Sequence, residues 1–159
     1  MKTLTLSAVL LSSVVVSFAS GARAESLFVE GDIVRGAQKG APGPLCVLNN
    51  QFKHLEKVVW RFRVKDASGK PLDEKGLKSL VVELPDGQKI NAAYGGHPPG
   101  SSPIDHFWTA VWIIPTAYPN GSFSYKAVAT GEGGSVTWEP FLTKTTQLQV
   151  MPGEIELKN

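Results

Sequence analysis

Cysteine is nearly absent: Cys46 is the only one in 159 residues. A single thiol forms no internal disulfide, so a folded domain must rest on its apolar core. Charge of one sign is not in excess either. The chain carries 16 Lys and Arg against 14 Asp and Glu. Two of the basic residues, Lys2 and Arg23, fall in an N-terminal leader, and the remainder of the chain is formally neutral. Nucleic-acid binding needs surplus Lys and Arg to displace phosphate counterions, so it is not expected. Helical periodicity is missing too: after the leader, apolar residues fall in short runs separated by Gly, Pro and Asn. Catalytic motifs are lacking. No Gly-x-Ser-x-Gly elbow surrounds Ser101 or Ser102 near His106, and nothing marks an oxyanion hole. Asp73 with Glu74, and Asp105 with His106, are neighbours in sequence, which does not make them partners in space. The chain is expected not to be an enzyme.

The leader runs from Met1 to Ala24. Lys2 precedes an apolar run from about Leu4 to Phe18, and small residues lead to Ala22-Arg23-Ala24. Charged start, apolar middle and an A-x-A exit are the layout of a cleavable secretory signal. The run is interrupted by serines and falls short of the roughly 20 apolar residues a membrane span needs. No Cys comes directly after the exit, so lipoprotein processing is not expected. The mature chain should begin near Glu25, be periplasmic or secreted, and keep no transmembrane segment after cleavage. Its length suits one domain, expected over residues 25–152, with residues 153–159 as a polar tail.

The strands read from alternation. In Val58 to Lys65, Val58, Trp60, Phe62 and Val64 alternate with Arg61, Arg63 and Lys65, which predicts one core face and one wet face. Leu80, Val82 and Leu84 repeat the pattern. Pro85-Asp86-Gly87-Gln88 then predicts a hairpin into Lys89 to Tyr94, since Gly takes positive φ without cost. Ser26 to Val34 is a first strand, and Val136 to Phe141 and Gln147 to Val150 are late ones. Gly95 to Asp105, rich in Pro and Gly, should be irregular. Phe107 to Ile114 is apolar on both faces. Ser122 to Thr130 reads as one alternating strand, with Phe123, Tyr125, Ala127 and Ala129 on one side. The sum is an all-β antiparallel sandwich of about seven to nine short strands.

Trp108 to Thr130, WTAVWIIPTAYPNGSFSYKAVAT, carries a further likeness. An aromatic strand ends at Pro, a turn with Gly comes next, and an alternating aromatic strand returns. This resembles bacterial immunoglobulin-like extracytoplasmic domains of the E-set type. The resemblance implies an immunoglobulin-like fold, and a role in binding, spacing or presenting other components. It assigns no functional residue.

Three groups of residues are candidates for chemistry. Cys46, His54, His97 and His106 are the only Cys and all the His of the chain, and thiolate with imidazole suits copper or zinc. The spacing departs from the cupredoxin pattern, in which the ligating Cys lies near the C-terminus beside His. Trp108 and Trp112 share a face of their strand. With Phe107, Thr109, Val111 and Ile113 filling the core, that Trp face would be a sticky patch for a partner or a sugar ring. Arg61, Arg63 and Lys65 form a basic face open to an acidic partner, or simply a solvated one. The expectation is a binding or accessory module that engages another exported or membrane-anchored protein. A metal-binding or carbohydrate-binding protein is the alternative.

Overall fold

The computed structural model describes residues 26–38, 46–98, 100 and 102–156. The expected leader lies outside them. Ten strands form, and no helix occurs among the described residues. In chain order they are β1 (Phe28–Arg35), β2 (Gln51–His54), β3 (Lys57–Lys65), β4 (Ser79–Glu83) and β5 (Lys89–His97). The rest are β6 (Asp105–Ile113), β7 (Gly121–Phe123), β8 (Lys126–Gly131), β9 (Gly134–Trp138) and β10 (Leu148–Glu154). No helix among the described residues is long and apolar enough to cross a membrane.

Seven strands make one sheet in the order β1-β3-β6-β5-β4-β8-β9, and β2-β10-β7 make a second, smaller one. In the large sheet every neighbouring pair is antiparallel. In the small sheet β10 pairs with β2 in parallel and with β7 antiparallel. Phe52, Leu148 and Val150 of the small sheet are buried in one cluster with Trp60, Leu80, Val82 and Ala127 of the large one. Both sheets therefore turn one apolar face into one shared core.

The large sheet curls. Its outermost strands, β1 and β9, come back toward each other without pairing. Side chains bridge the seam instead of backbone hydrogen bonds. Phe62 of β3 meets Trp138 of β9 edge-on, with ring centroids 5.6 Å apart. Gly31 of β1 makes room for both: a Cβ there would stand 2.5 Å from Phe62 and 3.3 Å from Trp138.

Several elements differ from the sequence expectation. Ser122 to Thr130 is two strands in different sheets, β7 and β8, broken at Ser124-Tyr125. Both sheets face one core, so the inward alternation continues across the break and hides it. That split, together with β2, which the alternation did not mark, makes ten strands among the described residues where about seven to nine were expected. Gly95 and Gly96, expected in an irregular stretch, pair with Phe107 and His106 inside the sheet. Gly96 serves packing there: a Cβ would lie 2.6 Å from Ile104 and 3.1 Å from His106. At the C-terminus β10 runs on to Glu154, and Ile155 is buried with its N–H donating to the His54 carbonyl. Residues 153–155 thus belong to the fold, not to a tail. The Asp86-Gly87 turn forms where expected, with Gly87 at φ 87°.

Candidate functional site

The Cys and His residues do not converge. Cys46 is exposed and sits at a positive φ of 57° beside the edge of β1. His54 of β2 is buried, and both of its ring nitrogens are engaged. Nδ1 lies 3.1 Å from the Gly153 carbonyl oxygen, and Nε2 lies 2.8 Å from that of Tyr118. Neither nitrogen is free for a metal. His97 is opposite Asp105, and His106 is opposite Gly96, across the β5–β6 ladder. Residues opposite each other share a face and successive ones alternate, so His97 and His106 point to opposite faces. His97 stacks on Phe107 at 4.5 Å, whereas His106 stacks on Tyr94 at 6.0 Å. Among the described residues, no group of three or more His, Cys, Asp or Glu is placed to hold a metal ion. The ligand set expected for copper or zinc is therefore dispersed.

The faces of β6 are the reverse of the expected ones. Trp108 and Trp112 are 5% and 9% exposed, while Val111 and Ile113 are each 48% exposed. The Trp108 indole N–H donates to the Leu72 carbonyl at 2.9 Å. Trp112 packs against Trp60 at 6.3 Å and Tyr118 at 4.8 Å. The exposed patch expected from this pair does not exist. An all-apolar strand carries no alternation to orient it, so its partner's register decides. Trp108 stands opposite Phe62, and Trp112 opposite Val58, on the inward face of β3.

The basic face is neutralised by its neighbours. Arg61 binds Asp32 of β1 through two bonds of 2.8 and 2.6 Å. Lys65 binds Glu30 at 2.7 Å, and Arg63 pairs with Asp105 of β6. The Arg61 guanidinium also lies 5.9 Å from the centre of the Phe107 ring. The Lys65 hydrogen bond holds the Glu30 carboxyl below its usual range, and the Asp32 bond raises Arg61. Surface pairs of this kind are screened by water and contribute little to stability. Their combined effect is a ladder of alternating charge, with no surplus left for an acidic partner.

The seam between β1 and β9 offers a further candidate. A cleft of about 370 Å³ opens there, floored by Tyr125 and Trp138 and walled by Ile33, Leu48 and Phe141. Tyr125 packs edge-on to Trp60 at 5.5 Å, and burial pushes its hydroxyl above the ordinary tyrosine range. Leu48 is 72% exposed and Phe141 82% exposed, one on each side of the opening. Asn50 holds the Phe141 loop in place, its side-chain amide donating to the carbonyls of Lys144 and Gln147 at 2.8 and 3.0 Å. The cleft has apolar walls and an amide and hydroxyl rim from Asn49, Asn50, Thr145 and Thr146. Sequence reasoning missed it, although Phe141-Leu142 between polar neighbours was a visible signal.

Comparison of the chain with protein-family models, with curated proteins and with solved structures finds no match.

Proposed function

We propose that this chain is an exported, non-enzymatic binding module with an immunoglobulin-like β-sandwich, and that it engages another exported or membrane-anchored protein at the seam cleft. The observation that carries this reading is the pair Leu48 and Phe141, large apolar side chains left 72% and 82% exposed at the mouth of an aromatic-floored cleft. Holding such groups in water is unfavourable by about 25 cal/mol per Å² of apolar surface. Concentrated apolar exposure of this kind is typical of interaction sites. Two sheets around one core support the sandwich. The A-x-A leader supports export. The metal-binding alternative loses support because its ligands point apart, and the Trp-based sugar site loses it because both indoles are buried.

The test is site-specific photocrosslinking in the native cell. A photoreactive residue in place of Phe141 should give one discrete adduct, and the same residue at Thr137 should give none. Adding Leu48→Ser should remove the adduct without lowering thermal stability, since exposed positions usually change it by under about 0.5 kcal/mol. Equal adducts at both positions, or none at Phe141, would reject the cleft as the binding site.

A further inference from the structure

His54 is buried, yet each of its ring nitrogens faces an oxygen that can only accept. Nδ1 lies 3.1 Å from the Gly153 carbonyl oxygen, and Nε2 lies 2.8 Å from that of Tyr118. A neutral imidazole has one N–H and one bare nitrogen. It can donate to one of these oxygens and must turn a lone pair on the other. Only the doubly protonated ring donates to both.

The two carbonyls belong to separate parts of the fold. Tyr118 closes the turn after β6, its N–H donating to the Pro115 carbonyl at 3.0 Å, and its ring packs on Trp112 and Phe123. Gly153 sits in an irregularity of β10. Met151 stands opposite Lys53 and Glu154 opposite His54, so Pro152 and Gly153 are looped out of the β2–β10 ladder, with Gly153 at φ 91°. Directly beyond, Ile155 is buried and its N–H donates to the His54 carbonyl at 3.2 Å. The ring and the backbone of His54 together hold the end of β10.

We infer that His54 is a proton-operated clasp. With a proton on both nitrogens it ties the end of β10 to the Tyr118 turn. On losing one it keeps the shorter bond to Tyr118, turns a bare Nδ1 on the Gly153 carbonyl, and lets residues 153–155 loosen. The device is independent of the seam cleft. Free imidazole takes up its second proton near about pH 6.5, where few other side chains change charge. The charged and titratable residues nearest in chain or register are Lys53, Glu56, Glu154 on β10, and the Tyr118 phenol with Asp86 acting on it. Glu56 is already committed, accepting from Lys53 N–H at 2.7 Å and pairing with Arg35 at 3.0 Å. Carboxyl groups ordinarily titrate below the imidazole range, and phenols and lysines above it.

The test uses the mature chain, isotope-labelled for ring and amide NMR, from about pH 5 to about pH 8. Ring nitrogen shifts read how many protons His54 carries. Protection of the Ile155 amide from hydrogen exchange, corrected for intrinsic exchange at each pH, reads the clasp. The expected result is a ring protonated on both nitrogens at the acid end and loss of the Nδ1 proton as pH rises. Ile155 protection should fall in parallel by about tenfold or more, for one charge-assisted hydrogen bond. His54→Gln, which offers one donor nitrogen and does not titrate, should show low Ile155 protection that no longer follows pH in this range. A ring that stays singly protonated throughout, or doubly protonated throughout, overturns the switch. So does a ring that titrates while Ile155 protection holds steady, or pH-dependent protection that survives in His54→Gln. The ring titration is read on the unaltered chain, so it decides the matter even where the variant fails to fold.

Discussion

A methyl group added at Gly31 has nowhere to go. Its carbon would stand 2.5 and 2.6 Å from two carbons of the Phe62 ring and 3.3 Å from Trp138. Carbon atoms rest at about 3.5–4.0 Å, so Phe62 must retreat by roughly 1 Å. Phe62 is buried among core residues and braced edge-on by Trp138, so the retreat pushes on β9 across the seam. Overpacking of this kind costs about 1–3 kcal/mol. The lower chain entropy of Ala relative to Gly offsets about 0.4–1 kcal/mol of it. Gly31→Ala should therefore destabilise the mature chain by about 1–2 kcal/mol, which lowers Tm by roughly 4–8 °C in a domain of this size. Thermal unfolding monitored by tryptophan fluorescence reads this directly. Phe62→Leu should relieve the clash, so a double-mutant cycle should show the pair costing less than the sum of the singles. An unchanged or higher Tm for Gly31→Ala, or strict additivity with Phe62→Leu, would refute the side-chain closure of the seam.

Burial sets two further outcomes. Trp108→Ala should cost about 3–5 kcal/mol in urea unfolding, since it opens a cavity and leaves the Leu72 carbonyl without its donor. Val111→Thr on the opposite face of β6 should change stability by under about 0.5 kcal/mol. Similar costs at both positions would mean that β6 is not oriented by β3. Stability should also fall at high pH. Burial raises Tyr94, Tyr118 and, most strongly, Tyr125 above the ordinary value of 10.0, so above that pH the unfolded chain releases protons that the folded chain keeps. The protonated form binds better to the folded state, and its stabilisation is complete below pH 10 and lost as pH rises beyond it. Tyr125→Phe should flatten this alkaline decline in unfolding free energy measured from pH 8 upward, and an unaltered slope would count against Tyr125 being buried as a neutral phenol.

The class of structure, and the strands that have one wet face, were legible in the residues alone. β3 was legible because Val58, Trp60, Phe62 and Val64 alternate with cations, and the β4–β5 hairpin because Asp86-Gly87 has few other uses. Alternation is a local property, and a strand that shows it declares which side is inward. Strands without it could be oriented only by their neighbours. β6 is apolar on both sides, so the register with β3 decided that Trp108 and Trp112 go in and that Val111 and Ile113 go out. The break between β7 and β8 was invisible for a related reason, because both sheets take their inward residues from one core. The candidate site lay further out of reach. It combines Ile33 and Leu48 from one end of the chain with Tyr125, Trp138 and Phe141 from the other. Only the curl of the large sheet, closed by rings over Gly31 instead of by backbone bonds, brings those ends within reach of each other.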